Sequence, residues 1–263
     1  MVYLQGIQRI RQVAQEEYPF TVPAVMASEQ LKFTKPITIF CGDNGCGKTT
    51  LMEILAEKTG AIRINDNLFR SPKNAVIEQA SKLFRVYHSV KARKNFYFTA
   101  EEFIKYIDWI EKEKAEARRA IAEIDASWQR DAYSEALAKS PHYKTIAELD
   151  SLYISSLNKR SHGEGFIDFF TSRLVDGGLY LMDEPEGALS YENQYVLSLM
   201  IKDAVERDCQ FIIATHSPVI AAIPDADIYQ IDESGIHPCE YDLLNNVMFL
   251  RMFLKRKDSL WDK

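Results

Sequence analysis

Short apolar runs of strand length recur along the chain and alternate with segments of helical periodicity. The clearest runs are PITIFC at 36–41, GGLYLM at 177–182 and QFIIAT at 210–215. Runs of this length that are rich in branched and aromatic side chains predict buried strands. A helical pattern over 191–207 separates the last two runs. Because a strand, a helix and a strand in this order form a βαβ unit, the pattern predicts a parallel sheet and an α/β fold.

A long helix is predicted from residue 101 onward, after the short aromatic strand NFYF. Its apolar side chains follow each other at alternating steps of four and three residues, with Lys114 as the one polar interruption. They are Phe103, Ile107, Ile110, Ala117, Ile121, Ile124 and Trp128. This heptad stripe predicts a helix of about 28 residues and roughly 40 Å, which either lies on the core or forms a protruding helical hairpin. A less regular helical stretch follows to about Lys159, with an expected break near Ser140 and Pro141.

The composition is that of an ordinary soluble domain. The chain has 263 residues, 32 Lys and Arg against 38 Asp and Glu, a net charge of −6 and 46% hydrophobic residues. These values exclude disorder, collagen-like repeats and a disulfide scaffold, and they suit one large α/β domain or one domain with an insertion. No apolar run approaches the roughly 18 residues of a membrane span. We therefore expect no membrane insertion, and four cysteines without zinc-like spacing favour reduced thiols in a cytoplasmic protein.

A glycine-rich segment directly follows the first strand and opens a helix. The eight residues Gly42, Asp43, Asn44, Gly45, Cys46, Gly47, Lys48 and Thr49 match GxxxxGK[ST] at every fixed position. The glycines allow backbone N–H groups to surround a phosphate chain, and the following helix turns its positive end to the same anion. Lys48 would reach the outer phosphates, the Thr49 hydroxyl would bind Mg²⁺, and Thr50 would lie beside it. The sequence thus predicts a nucleotide-phosphate site here.

Acidic and imidazole side chains follow the other two strands. Asp183 and Glu184 end the run LYLM, and His216 follows QFIIAT. Carboxylates at the carboxyl edge of a parallel sheet lie beside a phosphate loop, so Asp183 would hold Mg²⁺, directly or through water. Glu184 would position and polarise an attacking water, and His216 would contact the γ-phosphate. Taken alone, the acidic pair is also typical of a strand that ends in a solvated turn. A lone histidine at the end of a strand is usually a structural residue.

Ser161 and Glu164 have the spacing of a capped helix start. In the segment SHGEG, Ser161 would be the cap and Glu164 follows three residues later. The segment precedes Asp183 in the chain by 22 residues. This order and spacing are the reason to consider it together with the glycine-rich segment, the acidic pair and His216.

The complete set resembles the ABC-type ATPases, and within them the soluble branch similar to the RecF, SMC and OLD families. FCGDNGCGKTTLMEIL resembles the Walker A motif, YLMDEPEGALS the Walker B motif with its D-loop, SHGE a degenerate signature motif, and IATHSP the H-loop. The chain is also similar to small bacterial ATPases of predicted AAA/ABC type. Residues 1–60 and 161–240 carry the resemblance, and residues 61–160 carry little of it.

The resemblance implies a P-loop NTPase of ABC-ATPase type with a mainly parallel central sheet and a helical insertion. Its cofactors would be ATP and Mg²⁺, held between two copies of the chain in an ATP-dependent head-to-tail homodimer. Ser161 and Gly163 would then act in trans on the γ-phosphate of the partner's ATP. Ala188, Leu189 and Ser190 would form the D-loop across the dimer.

The implied organisation divides the chain into four segments. An ATPase core would comprise residues 1–98, with Walker A, and 161–242, with the other motifs. A helical insertion at 99–160 would separate these two parts, and a C-terminal helical tail would follow at 243–263.

Two family features have no clear counterpart in this sequence. The Q-loop usually offers a glutamine to Mg²⁺ and the attacking water, yet the expected place reads Thr99-Ala100-Glu101 and the nearest upstream glutamine is Gln79. Thr99 or Glu101 would take that part, although Glu101 also suits a helix start. For the adenine contact the candidates are Tyr18 and Phe20, and Phe20 equally suits a core position.

The leading functional hypothesis is an ATP hydrolase with nucleotide-gated dimerisation that serves nucleic-acid maintenance or phage defence. Nucleic acid would meet basic clusters that otherwise serve as solvated faces, and a separate effector protein would supply any cleavage. The clusters lie at 82–94, at Lys112, Lys114, Arg118 and Arg119, and at 251–257. The alternative is the ATP-binding subunit of a membrane transporter, although SHGE stands where transporters usually show LSGGQ. A GTPase would need NKxD, which is missing, and a clamp that only binds ATP would not need both Lys48 and Glu184.

Overall fold

A six-stranded sheet forms the centre of the computed structural model, which describes residues 1–11, 17–64, 72–127, 131–151, 162–256 and 259–260. The strands are β1 (Leu4–Arg9), β2 (Gln30–Lys32), β3 (Ile37–Gly42), β4 (Phe84–His88), β5 (Asn95–Thr99), β6 (Leu179–Asp183), β7 (Gln210–Ala214), β8 (Asp227–Asp232) and β9 (Gly235–Pro238). The helices are α1 (Pro23–Met26), α2 (Lys48–Thr59), α3 (Pro72–Ser81), α4 (Ala100–Ser127), α5 (Ala132–Ser151), α6 (His162–Thr171), α7 (Tyr191–Glu206), α8 (Pro218–Ala221) and α9 (Asn245–Arg256).

The central sheet has the order β5-β6-β7-β3-β8-β9. All its neighbouring strands are parallel except β9, which pairs antiparallel with β8. Every residue of β3, β6 and β7 is buried. Parallel strands covered on both faces have continuous apolar sequences. For this reason the three apolar runs predict the strands correctly. The predicted α/β fold with a mainly parallel sheet is confirmed.

Helices cover both faces of this sheet. On one face α2 buries Leu51, Ile54 and Leu55, in agreement with the helical spacing of the sequence. On the other face α7 buries Leu197 and Ile201 beside an aromatic cluster. The cluster comprises Phe96, Phe98, Phe170, Tyr180 and Phe211. The sheet is therefore held between two apolar cores, and its carboxyl edge stays free for polar chemistry.

The predicted long helix is α4, which has 28 residues. Near its start the Phe103 ring contacts Phe166 and Phe169, with centroids 5.1 and 5.3 Å apart. Farther along, α5 packs against it, and the buried Lys114 binds Asp150 at 2.7 Å. The base of α4 thus lies on the core while its outer part forms a hairpin with α5, so each of the two expected arrangements holds for part of the helix. Trp128 lies outside the described residues.

The expected break near Ser140 and Pro141 is wrong. Helix α5 continues through this position from Ala132 to Ser151. A proline inside a helix removes one backbone hydrogen bond, a cost that tertiary contacts can offset. Here Lys139 forms ion pairs with Asp125 of α4 and with Glu135, and Leu149 is buried in the core. Residues 152–160 of the predicted helical stretch lie outside the described residues, and the boundaries of the insertion remain a prediction.

A buried glutamine joins the central sheet to a second, antiparallel sheet of order β2-β1-β4. Gln210 begins β7, and its Oε1 accepts hydrogen bonds from the backbone N–H groups of Tyr3 and Leu4, both at 2.8 Å. Its Nε2 donates to the Leu4 carbonyl at 2.9 Å. One side chain therefore satisfies three backbone groups of the first strand.

We predict that Gln210→Met lowers the free energy of unfolding by about 2–4 kcal/mol, because three buried backbone groups lose their partner. Urea unfolding followed by circular dichroism measures the change. The matched control is Gln79→Met at an exposed position of α3, which should stay within about 0.5 kcal/mol of the unmodified protein. Equal stability of the two variants would contradict the joining role of Gln210.

Candidate nucleotide-binding site

The glycine-rich loop connects β3 to α2 in a conformation that requires glycine. Gly45 and Gly47 have φ values of +84° and +95°, in the left-handed region. A Cβ at Gly47 would lie 2.7 Å from the Val22 side chain, and one at Gly42 would lie 2.4 Å from the Ile231 carbonyl oxygen. Backbone conformation and close packing thus both exclude larger residues, which is typical of loops that bring their backbone next to a ligand.

Lys48 begins α2 with its side chain only 3% exposed. Its ammonium Nζ donates to the carbonyls of Gly42 at 2.9 Å and Asp43 at 3.2 Å. It also lies 2.7 Å from His216 Nε2 and 4.0 Å from Glu184 Oε1. The loop therefore encloses a cation, as a site for polyphosphate requires.

Asp183 and Thr49 meet beside this ammonium group. Burial raises the pKa of Asp183 to about 7, while the Thr49 hydrogen bond opposes the rise. Within the described part of the chain, Asp183 Oδ1 is buried without a hydrogen-bond partner. A buried carboxylate oxygen that lacks a donor and a threonine hydroxyl are the hard oxygen ligands that Mg²⁺ prefers. The two residues therefore fit a magnesium site.

Glu184 follows β6 in a left-handed conformation, with φ 47° and ψ 50°. A hydrogen bond from His216 holds the pKa of this carboxyl below its usual range, against the opposite effect of its partial burial. The His216 Nε2 to Glu184 Oε1 distance is 3.2 Å. Because a lysine ammonium only donates, Nε2 either accepts from Lys48 or donates to Glu184, so the two contacts are alternatives. Glu184 is consequently an ionised carboxylate at neutral pH.

Sequence reasoning missed a carboxylate that fixes the histidine backbone. Glu186 lies in a short 3-10 helix, Pro185–Ala188. Its Oε1 accepts from the Thr215 hydroxyl at 2.8 Å and from the N–H groups of His216 at 2.5 Å and Ser217 at 3.1 Å. Asn246 of α9 donates to the His216 carbonyl at 2.8 Å. An acid two residues after the Asp183-Glu184 pair was the sequence signal, but nothing local indicated its partners.

The described part of the segment that resembles the signature motif packs against the chain that follows β6. Helix α6 begins at His162, one residue after Ser161, and Ser161 itself lies outside the described residues. A Cβ on Gly163 would lie 2.7 Å from Asn193 Nδ2 and 3.2 Å from the Ala188 carbonyl oxygen. Gly163 is thus packed against the segment that resembles the D-loop, and not against Lys48 or Asp183.

The weaker sequence candidates separate clearly in the structure. Thr99 Oγ1 accepts from the Glu102 N–H at 2.9 Å and caps α4, whereas the exposed Glu101 pairs with Lys105 at 2.5 Å. Gln79 is exposed on α3. For the base contact, Tyr18 is 43% exposed and its hydroxyl lies 3.2 Å from Thr50 Oγ1.

Two candidates are core or interhelical residues. Phe20 is buried and stacks on Phe84 with centroids 6.4 Å apart. Lys114, proposed within a basic cluster, is buried and paired with Asp150, so it is not an exposed phosphate contact.

In the part of the chain that the structure describes, no helix is both long and apolar enough to cross a bilayer.

Comparisons with known proteins agree with these features. The family model described as AAA domain matches residues 24–130, a range that includes the loop, β5 and α4. No curated protein matches the sequence. Among solved structures, the chain is similar to a nucleotide-free ATP-binding cassette from an ABC transporter, with a TM-score of 0.49 and 14% identity over 100% of both chains.

Two further structures are similar at this level. One is the Smc head domain from Pyrococcus furiosus bound to the C-terminal domain of ScpA, with a TM-score of 0.44 and 12% identity over 97% of this chain and 100% of that chain. The other is a dimeric ATP-binding cassette bound to ADP and Pi, with a TM-score of 0.43 and 13% identity over 91% and 98%. The AAA domain match covers less than half of the chain, and the similar structures, at 12–14% identity, show a likeness in fold alone.

Proposed function

We propose that this protein binds ATP with Mg²⁺ and hydrolyses the β–γ phosphate bond. The observation that carries the proposal is the convergence of Lys48, Asp183, Glu184 and His216 at the carboxyl ends of three adjacent parallel strands. Ligands of α/β sheets bind at this edge. The free cysteines support a cytoplasmic location.

Each side chain has a task that its surroundings support. The loop 42–50 and Lys48 would bind the β- and γ-phosphates, where phosphate oxygens replace the carbonyls that Lys48 now contacts. Thr49 and Asp183 would hold Mg²⁺, which neutralises phosphate charge when bound. The ionised Glu184 accepts a hydrogen bond from the attacking water and orients it, and His216 donates to the γ-phosphate.

We predict that Glu184→Gln binds ATP with near-normal affinity but hydrolyses it at least about 100-fold more slowly, because the amide cannot polarise the water. Phosphate release and binding of a fluorescent ATP measure the two effects. Glu57→Gln, at an exposed position in the last turn of α2, is the matched control and should retain full activity. Normal turnover of Glu184→Gln would contradict the assignment of the water-orienting group.

We further propose that two copies assemble head to tail around two ATP molecules. The position of Gly163 beside Ala188, away from Lys48 of its own chain, supports a role of α6 toward a partner. The N-terminal end of a helix attracts phosphate, and α6 begins at the segment that resembles the signature motif. Bound nucleotide would then be part of the dimer interface, so ATP would promote association.

We predict that Lys48→Ala and Ser161→Arg are each inactive but complement one another. Lys48→Ala removes the phosphate-binding cation, and Ser161→Arg obstructs only the surface offered to the partner. An equimolar mixture should recover about a quarter of the wild-type rate, since half the dimers are mixed and each mixed dimer has one intact site. Full activity of Ser161→Arg alone, or no recovery on mixing, would contradict the head-to-tail arrangement.

For the cellular role we propose nucleic-acid maintenance or defence, in which a separate effector protein supplies any cleavage. Support comes from four exposed basic side chains on and just after β4 of the antiparallel sheet, Arg85, Lys91, Arg93 and Lys94. Exposed cations near one another attract phosphate backbones through counterion release.

We predict that Glu184→Gln with ATP binds a DNA duplex more weakly as salt rises. A second variant carries Lys91→Glu and Lys94→Glu in addition. In this variant log affinity should fall less steeply with log salt, so that the magnitude of the negative slope is smaller by about 2. Fluorescence anisotropy measures both. Lys144→Glu with Lys202→Glu changes the same charge elsewhere and should leave the slope unchanged. If the Lys91/Lys94 pair and the Lys144/Lys202 pair of substitutions gave equal slopes, the proposal that DNA contacts the basic side chains near β4 would be wrong.

A further inference from the structure

A cavity of about 530 Å³ opens beside the proposed magnesium site. Thr49, Asp183, Glu184 and Tyr97 of β5 are among the residues that line it. Among the described residues, both Asp183 Oδ1 and the Tyr97 hydroxyl are buried without a hydrogen-bond partner. Buried hydroxyls nearly always have a partner, and the lack of one costs about 1–3 kcal/mol. Two residues with such an oxygen line the same cavity, so a polar ligand bound there would supply the missing partners.

Tyr97 is held rigidly in this position. It pairs with Leu181 in the parallel register of β5 and β6, two residues before the Thr99–Asp183 pair. The Arg63 guanidinium lies over its ring at 4.7 Å and is itself paired with Glu102 at 3.2 Å. The strand backbone and the Arg63 contact on the ring both restrict the movement of the Tyr97 side chain, so its hydroxyl is suited to orient a small ligand.

Tyr97 is a neutral phenol. Burial, together with the negative charge of Asp183, raises the pKa of this phenol well above its usual range. Mg²⁺ retains several of its waters, and a water bound to the metal donates its protons. The oxygen of the Tyr97 hydroxyl is therefore suited to accept a hydrogen bond from such a water.

The same cavity also lacks the amide that the resemblance leads one to expect. Thr99 is used as the cap of α4, and the exposed Glu101 pairs with Lys105. The glutamine of the Q-loop would contact Mg²⁺ and the attacking water, whereas Glu101 is charged and the Thr99 oxygen already accepts the cap hydrogen bond. Tyr97 lines the same cavity from β5, and its oxygen has no such bond among the described residues.

We propose that Tyr97 is a positioning residue of the magnesium–nucleotide site, whose hydroxyl hydrogen-bonds a metal-bound water in the cavity beside Asp183. The inference rests on the proposed function, because it requires that Asp183 and Thr49 hold Mg²⁺ with a nucleotide. It assigns to a β5 tyrosine the contact with a metal-bound water in this cavity.

The test compares Tyr97→Phe with Tyr180→Phe and uses an ATP analogue that cannot be hydrolysed. Tyr180 is also fully buried, but its hydroxyl has partners, the Val175 N–H at 2.6 Å among them, and it lies in the aromatic core. Calorimetry measures analogue binding over a Mg²⁺ series and in EDTA, and thermal unfolding is measured without ligand. None of these readouts depends on turnover.

Tyr97→Phe should weaken the apparent Mg²⁺ affinity of the analogue complex about three- to tenfold, the effect of one lost hydrogen bond, and leave analogue affinity in EDTA unchanged. It should also raise the melting temperature without ligand, because an orphaned hydroxyl is removed. Tyr180→Phe should lower the melting temperature and leave the Mg²⁺ series unchanged.

An unchanged Mg²⁺ series in Tyr97→Phe would overturn the inference, as would an equal loss of affinity in EDTA. A lowered melting temperature would show that the hydroxyl has a structural partner and would overturn it as well. If the unmodified protein shows no Mg²⁺-dependent binding of the analogue, the proposed function fails and the inference fails with it. Mg²⁺-dependent binding by the unmodified protein together with an unaffected Tyr97→Phe leaves the proposed function standing.

Discussion

The burial of opposite charges at one edge of a parallel sheet is the constraint on which the site depends. Lys48, Asp183 and Glu184 come from the ends of β3 and β6, and each is held by a neighbour that limits the cost of its desolvation. Burial raises the pKa of Asp183 to about 7, so its neighbours offset only part of the cost of desolvation. A divalent cation beside Asp183 would stabilise the carboxylate form of this buried group.

The histidine at this edge is held by two elements that are distant in sequence. Glu186 binds the N–H of His216 from the short helix after β6, and Asn246 binds its carbonyl from α9. Ser217 extends the network, because its hydroxyl donates to the buried Gln194 of α7 at 2.6 Å. The Glu186 side chain therefore ties the segment after Glu184 to the backbone of His216 and Ser217.

What the sequence could predict is the chemistry that is encoded locally. The strands, the phosphate loop and α4 were readable because a continuous apolar run, a glycine pattern or a heptad stripe is complete within a few residues. Gln210 and Glu186 were not readable, because their partners lie on other elements and any buried polar residue has many candidates. The break predicted at Pro141 is wrong for the same reason, because the contacts that keep α5 continuous come mainly from α4 and are not local in sequence.

The exposure of Glu184 bears on whether one chain is sufficient. Its side chain is 46% exposed and that of His216 is 33% exposed, whereas the Lys48 side chain beside them is almost fully buried. A carboxylate open to bulk water interacts with many exchanging waters, and catalysis requires one water held in one orientation. Lys48, the proposed phosphate-binding residue, is thus enclosed by its own chain, whereas Glu184, the proposed water-orienting residue, is not. A second surface that covers Glu184 would supply the missing wall, and α6 with Gly163, which is not packed against its own loop, has the helix N-terminus suited to meet a phosphate there.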